Sequence, residues 1–283
     1  MIATLKDDHA LTDLLTVAGM ARSTFYYHHA RLDSPDRHAE LKACITRHFT
    51  AAKSRYGYRR IRLMLHQDGS MVSRKTVWKL MNQLGLKSKV RARKAYSSYR
   101  GTVSQVCDNV LKRQFTPGTP NAVWVSDVTE FRAGAQKVYL SPILDLYDRS
   151  IVSYSTSTSP STAFTAQSLT AAYQTLTSPA TPLVHTDQGF QYQHQVWRRV
   201  LAKHGSVQSM SRRGNCHDNA IVENFFGHLK SEMYHGERFE TVDHLVEEIG
   251  EYIRWYNQDR VQERLKGLTP MQYRNQALQS QPA

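Results

Sequence analysis

The sequence predicts an α/β fold, a mixed five-stranded sheet with flanking helices, preceded by an all-α region with helix-turn-helix spacing. Three observations lead there. Apolar residues recur at helical intervals through the first 85 residues, then give way from Asn121 onward to short strand-like runs. Those runs and the later helical stretches follow the order βββαβαβα, which builds a layered α/β sheet. Charge divides at the same place: residues 1–120 hold 22 Lys and Arg against 8 Asp and Glu, a net of +14, whereas residues 121–283 hold 15 against 16, a net of −1. The formal charge of +13 therefore resides in the N-terminal part. A polyanion is the natural partner of such a segment. An acidic membrane surface is the rival reading, weakened because the basic residues are mixed with helix and turn signals and form no single amphipathic anchor. Charge carried for solubility explains a modest excess, not this segregation.

Leu11, Leu14, Leu15 and Val17 make a short apolar helical face, Ala18-Gly19-Met20 a turn, and a second helix starts near Ser23 with Phe25 and Tyr26 facing inward. Two short helices around a glycine turn fit a helix-turn-helix, and equally an ordinary helical hairpin. The pattern recurs. Residues 36–53 carry the stripe Leu41, Cys44, Ile45 and Phe49, and Asp68-Gly69 is a turn. Ser73 can cap a helix over residues 74–84 with Val77, Leu80, Met81 and Leu84 inside. Its outward face holds Arg74, Lys75 and Lys79, which suits a DNA-reading helix or else a solvated one. Residues 86–120 read as a basic linker of little regular structure, with Arg91, Arg93 and Lys94 among its phosphate contacts.

In the α/β part, residues 123–131 read as the first strand. Val138, Leu140, Leu144 and Leu146 mark the second, where Pro142 suggests a bulge. Residues 151–156, 182–187 and 206–210 complete the strands; helices fit 160–176, 196–204, 219–234 and 242–256. Four regions follow: 1–85 helical and DNA-binding, 86–120 linker, 121–240 α/β core, and 241–283 helical extension. No run approaches about eighteen apolar residues and the N-terminus lacks a signal layout, so no membrane partner and a cytoplasmic location are expected. Cys44, Cys107 and Cys216 lie far apart, without a CxxC pair, and are expected as buried or half-buried thiols in a reducing compartment.

Three acidic segments carry the chemistry. Asp127 sits in Trp124-Val125-Ser126-Asp127-Val128-Thr129-Glu130, in the middle of an otherwise apolar strand, where an ionised carboxylate needs a metal or a hydrogen-bonded mate. Asp187, in His185-Thr186-Asp187-Gln188-Gly189, ends a buried strand, where α/β sheets present ligand sites. Glu223 lies one turn inside a helix with the stripe Val222, Phe225, Phe226, Leu229 and Met233, and can aim at the sheet. Any one of these acids read alone is a cap or a surface charge; the three together suit two Mg²⁺ or Mn²⁺ ions about 4 Å apart, an arrangement for in-line attack at a phosphodiester. Lys230, seven residues beyond Glu223, lies on the same helix face and could bind phosphate. Asp145, Asp148 and Glu232 read as ordinary charges, Asp218 as an N-cap, and His185 as either a site-lining or a structural histidine. The zinc spacing HxxxH with CxxC is missing, so no zinc is expected.

Between Asp127 and Asp187 lie 59 residues, and between Asp187 and Glu223 lie 35. The second spacing resembles that of the DDE transposases and retroviral integrases. Residues 124–131, 185–192 and 214–232 are similar to the second-reading-frame (OrfB) proteins of bacterial insertion sequences. Tyr56-Gly57-Tyr58-Arg59-Arg60, Tyr256-Asn257, Arg260 and Leu268-Thr269-Pro270 fit as well, so the likeness covers nearly the whole chain. Gln262 stands where many relatives have a histidine. The resemblance implies an RNase-H-like integrase catalytic core, divalent metal held by Asp127, Asp187 and Glu223, and Lys230 as a DNA contact. It implies strand cleavage and transfer at terminal inverted repeats, oligomers on element and target DNA, and an upstream OrfA-type protein joined by frameshifting. The competing readings are a non-catalytic DNA-binding regulator and another RNase-H-like nuclease.

Overall fold

The N-terminal helices form where the apolar spacing puts them. The computed structural model describes residues 2–30, 35–89, 107–111, 115–177, 180–211 and 219–279. It opens with α1 (Ile2–Leu5), α2 (Leu11–Val17) and α3 (Arg22–His29). Gly19, between α2 and α3, has φ +59°, a left-handed turn suited to glycine. Leu15 and Phe25 are buried, but Val17 is 89% and Tyr26 50% exposed, so neither belongs to the inward face. Helix phase explains Tyr26: a buried Phe25 leaves its neighbour about 100° around the axis.

The second helical set is α4 (Ala39–Ala51), α5 (Tyr58–Gln67) and α6 (Arg74–Gln83). Ser73 Oγ accepts the Thr76 N–H at 3.1 Å and caps α6, a contact worth about 1 kcal/mol. Val77, Leu80 and Met81 share a core with Ile45, Phe49, Ile61 and Leu65, closed by Val261 and Trp255 from the far end of the chain. Tyr56 fastens the same junction: its hydroxyl donates to the Asp259 carbonyl at 2.9 Å and accepts the Val261 N–H at 3.0 Å.

The sheet comprises β1 (Val123–Ser126), β2 (Thr129–Ala133), β3 (Gln136–Asp145), β4 (Ile151–Ser157), β5 (Leu183–Thr186) and β6 (Gln208–Met210). Its spatial order is β4-β3-β1-β5-β6, with β2 continuing beyond β1 along the same edge of β3. β1, β5 and β6 run parallel, and β3 is antiparallel to β1, β2 and β4. The five expected strands are thus six, because the first is broken. Ser126 pairs with Ile143 and Thr129 with Leu140, an unchanged register that sets Asp127 opposite Pro142. Proline has no N–H with which to continue a ladder, and the pairing lapses at Asp127 and Val128. The bulge expected at Pro142 lies one residue on, between Ile143 and Leu144 on the β4 side.

Side chains alternate across the sheet, so both faces need cover. Trp124, Ile143 and Val184 pack with α7 (Thr162–Gln174) and α9 (Gln195–Lys203) on one face. Val125, Leu140 and Leu144 pack with α10 (Ala220–Leu229) and α11 (Val242–Gln258) on the other. The structure adds elements not individually expected, α1, the single turn α8 (Phe190–Gln193), a 3-10 turn Glu263–Leu265 and α12 (Pro270–Gln279), and the helix expected over 219–234 finishes in a π-helical turn, Lys230–Tyr234. Arg91, Arg93, Lys94, Cys216 and Asp218 lie outside the described residues. At the end of the linker, Leu111 is buried in the core and its N–H donates to Ser209 Oγ at 3.1 Å. Among the described residues, no helix is long and apolar enough to cross a membrane.

Candidate active site

Asp127 and Asp187 emerge side by side. Ser126 and Thr186, the last residues of β1 and β5, are register partners in a parallel pair. The next residue of each strand therefore leaves the sheet at the same C-terminal edge, where open α/β sheets hold ligands. This corrects the mid-strand placement of Asp127: it occupies the break between β1 and β2, released from the ladder. Asp127 Oδ1 accepts the Val128 N–H at 2.7 Å, so the carboxylate satisfies a donor that the broken ladder leaves over. Asp187 Oδ1 accepts the Gly189 N–H at 2.9 Å. A Cβ on Gly189 would lie 2.9 Å from that oxygen and 2.5 Å from Gln191 Nε2, so a larger residue here would press on the Asp187 carboxylate and displace the Gln191 side chain.

The electrostatics are those of crowded negative charge. Burial pushes Asp127 well above the usual carboxylate range, and repulsion from Asp187 and then Glu223 adds to it; the Val128 N–H and Lys230 pull the other way. Burial also raises Asp187, against the Gly189 N–H. Beneath the pair lies Tyr192, fully buried, its hydroxyl 3.3 Å from Ser126 Oγ. Burial and the charges of Asp127 and Asp187 push its phenol well up. Tyr192 and Gly189 were not singled out in the sequence; their neighbourhood to Asp187 was the available signal.

Glu223 stands half-buried in the first turn of α10, whose stripe Val222, Phe225, Phe226 and Leu229 packs on the sheet. Among the described residues, no three His, Cys, Asp or Glu side chains are gathered closely enough to hold an ion; Glu223 reaches Asp127 through its charge. Lys230 opens the π-helical turn with Nζ 5.2 Å above the Phe131 ring, and its charge also acts on Asp127. His185 is buried within β5, its Nδ1 2.9 Å from Ser209 Oγ of β6.

Other acids serve the scaffold. Asp145 and Asp148 are both buried and ion-paired with Arg274 of α12, at 2.5 and 2.6 Å. On α6, Lys75 and Lys79 are exposed and Trp78 between them is 53% exposed, while Arg74 is ion-paired with Glu263.

Residues 35–94 match the HTH-like domain family, and residues 117–216 and 223–278 match integrase core domain families. A helix-turn-helix-like unit ahead of an RNase-H-like integrase core defines a polynucleotidyl transferase. The chain belongs to the transposases of insertion sequences. It is 44% identical over 272 residues to the InsK protein of insertion sequence element IS150 from Escherichia coli K12, covering 96% of each chain. It is 44% identical over 207 residues to a transposase-like protein of Haemophilus influenzae, covering 73% of this chain and 95% of that one. To the transposase InsF of IS3A from E. coli K12 it is 33% identical over 231 residues, covering 81% of this chain and 80% of the relative.

Proposed function

We propose that Asp127, Asp187 and Glu223 are the metal-holding catalytic acids of this transposase, which cleaves and joins DNA strands at the terminal inverted repeats of its element. The observation that carries the reading is the placement of Asp127 and Asp187 on register-matched ends of parallel strands, against their own repulsion. The donor set fits a hard cation. All three groups are carboxylates, which suit Mg²⁺ or Mn²⁺, and the raised aspartates mark a place where added positive charge is stabilising. Bound there, the cations supply Lewis-acid stabilisation of charge developing at the phosphodiester and ease deprotonation of the attacking hydroxyl.

The remaining parts are the chain's own. The Val128 and Gly189 N–H groups fix one oxygen of each aspartate. Glu223 closes on the pair from α10, and Lys230 at the end of that helix holds a DNA phosphate. Arg74, Lys75 and Lys79 on α6, with Arg91, Arg93 and Lys94 of the linker, contact the element ends. The protein works in the cytoplasm on the nucleoid, as an oligomer bridging ends and target, together with an upstream-frame OrfA-type protein or as a fusion with it.

The test uses labelled DNA ends taken from the sequence flanking the gene, with Mg²⁺, assayed on this chain and on the frameshifted fusion. Asp127→Asn, Asp187→Asn and Glu223→Gln each abolish cleavage and joining while end binding persists, since the amide keeps size and loses charge. Wild-type cleavage by any one of the three removes that residue from the triad, and cleavage in chelator removes the metal. End binding without cleavage by the unaltered protein would make it a regulator; hydrolysis without joining would make it a nuclease.

A further inference from the structure

Glu232 lies outside the cleft, yet it is the most heavily bonded acid among the described residues. It sits in the π-helical turn that continues α10, two residues beyond Lys230 and nine beyond Glu223. It is 3% exposed. Arg260 grips it with two bonds, Nε to Oε2 at 2.9 Å and Nη2 to Oε1 at 2.7 Å. The Tyr252 hydroxyl donates to Oε2 at 2.8 Å and Arg60 Nη1 to Oε1 at 3.4 Å. Arg55 Nε donates to the Glu232 carbonyl at 3.3 Å, while its guanidinium stacks 4.5 Å above the Trp255 ring. His228 Nδ1 stands 3.7 Å from Oε1.

These partners come from separate parts of the chain. Arg55 and Arg60 belong to the helix-turn-helix-like unit, Tyr252 to α11, and Arg260 to the segment after it. Burial pushes the Glu232 carboxyl up, but the pull of Arg260 and Arg60 outweighs it, so the group is held below its usual range and stays charged. A buried ion pair of this kind contributes little to net stability compared with an apolar replacement, and removing one partner is costly. Its use is therefore geometric. π-helical turns within helices are frequent near functional sites, and this one carries Lys230 and the bonded acid together, directly after the helix that bears Glu223.

We propose that Glu232 is a positioning residue that fixes the register of the α10 and π-turn segment, and with it Glu223 and Lys230, only while the helix-turn-helix-like unit is docked through Arg60. The proposal rests on the reading that Glu223 and Lys230 serve the cleft. It gives a role to Arg60 of the Tyr56-Gly57-Tyr58-Arg59-Arg60 motif and to Arg260, neither of which the catalytic site itself uses.

The experiment uses the full chain with Arg60→Gln, Glu232→Gln and, as a control, Glu251→Ala. The control removes the exposed Lys53–Glu251 pair, 4.0 Å across the same junction. Three readouts are taken: end-DNA affinity, cleavage rate at saturating DNA, and amide exchange by mass spectrometry. In Arg60→Gln, end affinity stays near wild type and the cleavage rate falls roughly tenfold or more, the scale of a small misplacement. Exchange quickens in residues 228–235 but not in α7. Glu251→Ala changes none of these. Wild-type exchange in residues 228–235 of Arg60→Gln overturns the proposal, as does an equal loss of cleavage in Glu251→Ala. If Glu232→Gln fails to fold, Arg60→Gln still decides, because it leaves the Arg260 pair in place. Cleavage by Glu223→Gln would instead overturn the catalytic reading and leave the exchange result standing.

Discussion

Asp127 and Asp145 mark opposite ends of β1. Asp127 follows its last residue, and Asp145 of β3 pairs with Trp124 near its start. Each has a second aspartate beside it, Asp187 or Asp148, and each is raised by burial and by its neighbour's charge. At the Asp145 end the chain supplies the counter-charge itself: Arg274 bonds both acids, and the Asn121 and Tyr147 N–H groups donate to Asp145, whose pKa still comes to about 6. At the Asp127 end the cation that acts, Lys230, is the weakest of the named influences. The difference separates scaffold from site. The buried acid pair that carries its own arginine is complete; the half-buried pair left to repel itself takes its positive charge from outside. Glu232, with Arg260 and Arg60, belongs to the first kind.

The comparison breaks most decisively at Asp127. Asp127→Asn lowers cleavage by about three orders of magnitude or more, while melting in metal-free buffer holds or shifts upward, because the amide removes a charge that burial disfavours. Asp148→Asn does the reverse, reducing stability while the cleavage rate per folded molecule stays within a few-fold of wild type. Thermal melts and gel assays on the same preparations decide it. If Asp148→Asn removed cleavage from a folded protein, the two ends would not differ in kind.

Arg274→Gln comes next, with a loss of about 3–5 kcal/mol, the cost of leaving buried acids without their cation. Its pH dependence follows from Asp145. A folded pKa above the unfolded value gives a contribution that is present at low pH and lost as pH rises through the folded pKa. Without Arg274, burial and Asp148 push Asp145 higher still. The variant's deficit is therefore larger at about pH 8 than at about pH 5, as melts at the two values would register. A deficit independent of pH would mean that Arg274 acts through packing alone.

Much of the scaffold could be read from the chain because it depends on local periodicity. The α6 stripe of Val77, Leu80 and Met81, the Ser73 cap and the α10 stripe are spaced within one element. The acids at 127 and 187 could be picked out because each interrupts or ends an apolar run. What stayed hidden depends on partners distant in sequence. The break at Asp127 comes from Pro142 on the neighbouring strand, and Asp145 and Asp148 are explained by Arg274 more than a hundred residues on. Glu232 reads as an ordinary surface charge until Arg60 and Arg260 are brought to it by folding. Tyr26 shows the opposite limit, where a short helix leaves phase ambiguous by one residue.

Lys230→Ala has a middling effect, about tenfold in cleavage or roughly 1.4 kcal/mol of barrier. The acids remain, so metal-dependent activity survives at a reduced rate, and added salt deepens the defect because phosphate holding is ionic. Complete loss of cleavage would move Lys230 from phosphate holding into the metal site.

The smallest effect applies the same contrast to the DNA-binding face. Arg74 shares its charge with Glu263, whereas Lys75 and Lys79 are exposed around Trp78. A cation that neutralises a phosphate releases a counterion, so removing it lowers the slope of log affinity against log salt by about 0.9. A cation already paired with a carboxylate has less charge to offer, and freeing Glu263 adds an anion near the DNA whatever the salt. Lys79→Ala should therefore reduce the slope by about one unit, and Arg74→Ala by distinctly less at a comparable loss of affinity. Trp78→Ala should weaken binding with the slope unchanged, since its contact is not ionic. End-DNA binding measured across a salt series separates the three. Equal slope changes for Arg74 and Lys79 would show that the Glu263 pair opens on DNA and that both cations meet phosphate.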